Sequence, residues 1–125
     1  MENTASVDLA DIQAIKSLFD LTGSTVLITG GGSGLGRAMA KGFACYGADV
    51  VILDRDLDAA QSCAKEIADI GRRAWAAPCD VSNEVEVEHA VKTSLGQAGH
   101  IDILVNNAGH NIRKPMLEYE VSEFD

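Results

Sequence analysis

Four short apolar runs rich in β-branched residues set the frame: TVLIT (25–29), DVVILD (49–54), IDILVN (101–106) and, more weakly, RRAWAAP (72–78). Runs of this length, apolar at successive positions, suit strands buried on both faces of a parallel sheet. Segments of helical period lie between them. From Gly34 the apolar positions are Leu35, Ala38, Met39, Phe43 and Tyr46, one face of a helix stopped by Gly47. A second helix opens at Asp56, shows Leu57, Ala60, Ala64 and Ile67, and closes at Gly71. A third follows Asn83, which stands three residues before Glu86 in the spacing of a capping box. Glu84, Glu86 and Glu88 crowd its first turn, where the helix dipole favours acid, and Val87, Val91 and Leu95 form its stripe. The order β-α-β-α-β-α-β predicts an α/β domain with a parallel sheet and right-handed crossovers. Residues 1–20 precede this pattern, and Leu9, Ile12, Ile15 and Phe19 predict a short amphipathic helix lying on the domain.

A chain of 125 residues holds at most one domain of ordinary size, here read as 21–125 behind the extension 1–20, and 46% hydrophobic residues suffice for its core. A net charge of −9 and a pI near 4.6 argue against nucleic acid or an anionic membrane surface as partner. No apolar stretch approaches the roughly 20 residues of a membrane span, and the acidic start MENTASVDLADIQ is unlike a signal peptide. Cytoplasm is the expected location. Cys45, Cys63 and Cys79 are widely spaced with no CxxC, so they are expected to be buried reduced thiols, and no metal site is assigned.

Between the first strand and the first crossover helix lies TGGGSGLG, Thr29 to Gly36. Glycines here let main-chain N–H groups approach a phosphate at a helix start. Gly31 and Gly36 have the spacing of a nucleoside-triphosphate loop, but Arg37 replaces its Lys and Ala38 its magnesium-binding hydroxyl. The standard GxGxxG fingerprint fails in every register, ending on Leu35, Arg37 or Met39. What fits is Gly30-x-x-x-Gly34-x-Gly36. Asp54 then closes the second strand, where a carboxylate accepts bonds from ribose hydroxyls and repels a 2′-phosphate. Arg55 beside it has the opposite sense, and Ser33 adds no charge. These residues favour NAD over NADP.

TGGGSGLG resembles the TGxxxGxG turn of the short-chain dehydrogenases/reductases, NNAG (106–109) that family's second motif, and CDV (79–81) its third. The resemblance covers residues 19–125. It implies a Rossmann-type doubly wound sheet of strand order 3-2-1-4, incomplete at the C-terminus. It also implies an NAD(P)-dependent oxidoreductase moving hydride between the cofactor and an alcohol or ketone. Gly30, Ser33, Gly34, Leu35 and Gly36 would line the pyrophosphate, and Asp54 would hold the adenosine ribose. Asp80 and Val81 would contact adenine. Asn107, Ala108 and Gly109 would pass beside the adenosine half, with Asn106 tying the fourth strand to its neighbours. The family's acid–base pair, Tyr-x-x-x-Lys, is absent: Tyr46 is followed by Val50 and Tyr119 by Glu123. No catalytic residue is therefore assigned, and the chain is expected to be the N-terminal part of a longer, homo-oligomeric enzyme. The alternative is an inactive dinucleotide-binding fragment. RKPM (113–116) resembles the gluconate 5-dehydrogenase branch, in which Arg113 or Lys114 would face a sugar-acid carboxylate, although His110 departs from that pattern. VSEFD (121–125) resembles the first turn of a further helix.

Overall fold

The computed structural model describes residues 6–109 together with Glu118, Glu120 and Ser122. Its strands are β1 (Thr25–Thr29), β2 (Asp49–Asp54), β3 (Ala74–Pro78) and β4 (Ile103–Val105). Its helices are α1 (Leu9–Ser17), α2 (Gly34–Cys45), α3 (Leu57–Ile70) and α4 (Glu84–Ala98). All strand pairs are parallel and the order is β3-β2-β1-β4, as the resemblance implies. The expectations attached to His110, Arg113, Lys114 and Tyr119 lie outside the described residues. So does the helix start at 121–125, apart from Ser122.

The two sheet faces bury alternate residues of the same strands. On one face Ile28, Val50 and Ile52 lie under Ala40 and Ala44 of α2 and Ala60, Cys63 and Ile67 of α3. On the other, Leu27, Val51 and Leu53 meet Ala90 and Ala98 of α4. Each fully buried Val or Ile contributes about 2 kcal/mol of apolar transfer. The helix caps match their sequence signals. Asp56 Oδ1 accepts from Ala59 N–H at 3.1 Å, Asn83 Oδ1 from Glu86 N–H at 3.2 Å, and Gly71 ends α3 at φ 97°.

Three expectations are corrected. The fully buried positions of α2 and α4 are small, Gly36-Ala40-Ala44 and Ala90-Ser94-Ala98, while Met39, Phe43 and Val87 of the expected stripes are half-buried against the core beside them. Leu35 is 70% exposed and Tyr46 59%, so these two fall off the face that the small residues and Met39 and Phe43 turn to the core. The helix α1 forms, but none of its residues is fully buried; the contact of its expected apolar face with the domain is the ring of Phe19, just past its end, against Tyr46 at 6.4 Å between centroids. Of the three free thiols, Cys63 and Cys79 are buried whereas Cys45, at the last turn of α2, is exposed.

The strand ends opposite the crossover turns are tied by charge. Asp49, at the start of β2 and nearly buried, accepts from the Arg73 N–H at 3.0 Å and from its guanidinium at 3.0 and 3.1 Å. Arg72 Nη2 adds a bond at 3.1 Å. Burial pushes the Asp49 carboxyl up, but these donors and charges outweigh it and hold the group below the ordinary carboxylate range. At the other side Asp102 Oδ2 accepts from Thr25 N–H at 2.7 Å, and its own N–H donates to Thr25 O at 2.9 Å. These bonds start the β1–β4 ladder. Among the described residues no strand pairs with the outer edge of β4, and Leu104 there is 59% exposed.

Candidate functional site

The C-terminal ends of the four strands and the turns that leave them enclose a cleft of about 610 Å³. It lies where the strand order reverses, between the β1 and β4 ends, the place where open α/β sheets bind ligands. Three of its walls matter chemically.

The first wall is the turn from β1 to α2. Gly30 N–H donates to Leu53 O at 2.7 Å, and the chain then reverses at Gly30 with φ 65°, a left-handed conformation that favours glycine. Gly36 must also be glycine, because a Cβ there would collide with the Gly30 carbonyl and Asn107 Nδ2. This close approach is what brings the start of α2 down to the cleft. Ser33 is the N-cap but its hydroxyl makes no capping bond. Among the described residues no acceptor takes the N–H of Ser33, Gly34, Leu35 or Gly36. Four unsatisfied donors at the positive end of a helix dipole can receive an anion.

The second wall is acidic. Asp54, at the end of β2, accepts from Gly32 N–H through Oδ2 at 2.9 Å and from Asp56 N–H through Oδ1 at 2.9 Å. It is therefore oriented by the backbone rather than loosely solvated, and each oxygen keeps a free lone pair for a hydroxyl. Arg55 lines the same cleft.

The third wall follows β3 and β4. Asp80 Oδ1 accepts from the Ser82 hydroxyl at 2.6 Å and its N–H at 3.0 Å, bonds that hold the carboxyl below its ordinary range. It does not cap α4, which is the work of Asn83. Cys79 lies behind it, its thiol pushed up by burial and by the nearby Glu86 and Asp80 charges, so it stays neutral. The fourth strand is tied by Asn107, not by Asn106. Asn107 Nδ2 donates to Thr29 O and Gly30 O, whereas Asn106 is exposed. Side chains alternate along the strand, so Asn107 falls on the inner side with Ile103 and Val105.

Of the residues singled out from sequence, Gly30, Ser33, Leu35 and Gly36 line the cleft at α2, and Asp54, Asp80 and Val81 line it at β2 and β3. Asn107, Ala108 and Gly109 close it at β4; Gly34 alone stands off its surface, at φ 55° within the turn. Sequence reasoning missed Cys79 and Ser82 as cleft residues and Thr29 as the acceptor for two N–H groups. The CDV match and the threonine before the first glycine were the available signals. Tyr46 stands past the far end of α2, roughly 18 Å from the cleft at 1.5 Å per residue, and is no candidate acid or base there.

The model of the short chain dehydrogenase family matches residues 24–125. The 7alpha-hydroxysteroid dehydrogenase of Escherichia coli K12 is 41% identical over 95 residues, which cover 76% of this chain and 37% of that protein. The gluconate 5-dehydrogenase of Gluconobacter oxydans is 37% identical over 108 residues, covering 86% of this chain and 42% of that one. The chain thus spans about two fifths of the length of these relatives. Among solved structures, the 3-ketoacyl-(acyl-carrier-protein) reductase of Brucella melitensis, complexed with NADH, superimposes with a TM-score of 0.75. It is 46% identical, over 84% of this chain and 42% of that one.

Proposed function

The chain belongs to the short-chain dehydrogenase family, and from that premise we propose that its cleft holds the adenosine diphosphate half of NAD. The reaction served is hydride transfer between the nicotinamide and an alcohol or ketone. One observation carries the reading: four uncommitted N–H donors at the start of α2 share a cleft with the fixed carboxylate of Asp54. Donors of that kind suit a pyrophosphate, and the carboxylate suits the two hydroxyls of the neighbouring ribose.

In this reading Gly30, Ser33, Gly34, Leu35 and Gly36 receive the pyrophosphate. Asp54 holds the adenosine ribose, Asp80 and Val81 border adenine, and Asn107, Ala108 and Gly109 run beside the adenosine half. NAD when bound supplies the redox chemistry. The chain's own residues orient it and keep water from one side of it. The Asp54 charge disfavours a 2′-phosphate, so NAD is preferred over NADP, with Arg55 softening the preference. We assign the substrate to the polyols and sugar acids, because Arg113 and Lys114 follow the second motif as a cationic pair. Residues 21–125 form the dinucleotide-binding unit behind the extension 1–20. The full-length protein is assigned to the cytoplasm as a homo-oligomer; among the described residues no helix is long and apolar enough to cross a membrane.

The test is NADH binding by the full-length protein, followed by fluorescence, beside an Asp54→Ala variant. A loss of at least about tenfold is expected from the missing ribose bonds. Undiminished affinity in the variant would overturn the reading. The alternative is a dinucleotide binder without turnover. Gluconate oxidation by the same protein separates the two: turnover removes the alternative, and tight NADH binding without turnover of any alcohol supports it.

A further inference from the structure

We propose that Arg37, held by Glu66, is a positioning residue that aims the phosphate-binding turn without touching its ligand; the inference rests on the cofactor reading above. Arg37 does not line the cleft. Its guanidinium instead grips Glu66 of α3 by two bonds, Nη2 to Oε1 at 2.6 Å and Nε to Oε2 at 3.2 Å. Lys41 Nζ stands 3.4 Å from the same Oε2, and Ser62 Oγ accepts from Nη2 at 3.3 Å. A planar fork fixed in this way has little freedom left. Its remaining nitrogen, Nη1, donates to the Gly32 carbonyl at 3.3 Å.

Gly32 is buried in the turn, and its N–H is taken by Asp54 Oδ2 at 2.9 Å. One residue of the turn is therefore held at its two polar ends by side chains of opposite charge. The consequence follows from peptide geometry. A trans peptide points its C=O and the next N–H in opposite directions. With the Gly32 carbonyl turned to Arg37, the Ser33 N–H faces the other way. Ser33 lines the cleft, and its N–H has no acceptor among the described residues. Arg37 thus sets the aim of the first donor of the anion receptor, while Asp54 keeps a separate anchor on the Asp56 N–H. Glu66 contributes by holding the fork, so α3 governs a turn that belongs to β1 and α2.

The experiment is calorimetric titration of the full-length protein with NADH, ADP and adenosine, for the wild type, Arg37→Met and Glu66→Gln. Arg37→Met should weaken NADH and ADP about tenfold, the worth of one charge-assisted bond held in register, and leave adenosine unchanged. Glu66→Gln, which keeps the shape of the pair and loses its charge, should weaken the same two ligands about threefold. A merely structural role would lower all three affinities together, and that result, or no change in any, overturns the proposal. If Arg37→Met does not fold, Glu66→Gln decides by the same comparison. A wild-type protein that binds neither NADH nor ADP overturns the cofactor reading and this inference with it. Normal wild-type binding with unaltered variants removes only the role of Arg37.

Discussion

Thr29 and Asn107 lock the ends of β1 and β4 together by reciprocal bonds. Asn107 Nδ2 donates to the Thr29 carbonyl at 3.2 Å and to that of Gly30 at 3.1 Å. In return, Thr29 Oγ1 accepts the N–H groups of Asn107 and Ala108 at 3.1 and 3.0 Å. The short β4 ladder ends at Val105, so these four bonds, with the longer one from the Thr29 hydroxyl to Val105 O at 3.5 Å, carry the junction that frames the cleft. Replacing Asn107 by Leu keeps the size and removes both side-chain donors. Equilibrium unfolding in urea should show a loss of about 2 kcal/mol. A change within about 0.5 kcal/mol would mean that the junction is held elsewhere.

Gly36→Ala tests the close approach of α2 to the turn. The added methyl meets the Gly30 carbonyl and Asn107 Nδ2, neither of which can withdraw without moving a strand end. We expect destabilisation by about 2 kcal/mol, seen as a lower midpoint of thermal unfolding, together with loss of measurable NADH binding. Gly42→Ala, in the same helix with open space around its missing side chain, is the control. It should raise stability by several tenths of a kcal/mol, as glycine replacement in a helix does.

Asp54→Asn removes charge while keeping an oxygen for one of the two backbone N–H groups that orient the side chain. The ratio of NADH to NADPH affinity should fall about tenfold or more in the variant, through weaker NADH binding and tolerance of the 2′-phosphate beside Arg55. Competitive titration of the two cofactors measures it. An unchanged ratio would show that the carboxylate charge does not select the cofactor.

Much of this arrangement was legible in the residues themselves, and what escaped did so for identifiable reasons. Glycine spacing, β-branched runs and the caps Asp56 and Asn83 each report a local backbone requirement, so they placed the strands, the helix starts and the turn. The faces of α2 and α4 are only partly legible, because hydrophobic patterning weights large side chains and finds Met39, Phe43 and Val87 but not the small residues between them. The sheet also selects for Ala40, Ala44, Ala90 and Ser94, whose merit is their small size. Asn106 was assigned the role of Asn107 because two identical neighbours differ only in which side of the strand they face, and one position decides it. Arg37 gave no signal beyond its failure to be a lysine. Its partner Glu66 is distant in sequence and becomes a neighbour only when α2 and α3 lie side by side.

The Asp49 carboxylate supplies a prediction in pH. Its folded-state pKa lies below the ordinary value of 3.8, so its bonds to Arg72 and Arg73 stabilise the fold above that value. The stabilisation is lost as the pH falls through the lower folded-state pKa, when protonation breaks the pairing. Asp49→Asn should cost about 2 kcal/mol at neutral pH. The gap between variant and wild type should narrow on acidification from about pH 5 to about pH 2. A gap independent of pH would mean that the charge contributes nothing and only the shape of the side chain matters.

Ala40 and Ala44 are the fully buried side chains of α2, so at these two points the helix meets the core through single methyl groups. Ala44 is about two turns below Gly36, yet thickening this shim would pivot the whole rod and swing its tip away from the cleft. Under the proposed function, affinity for a cofactor would thereby depend on a position that no cofactor could reach, and a change there would leave every ligand-facing group as it is.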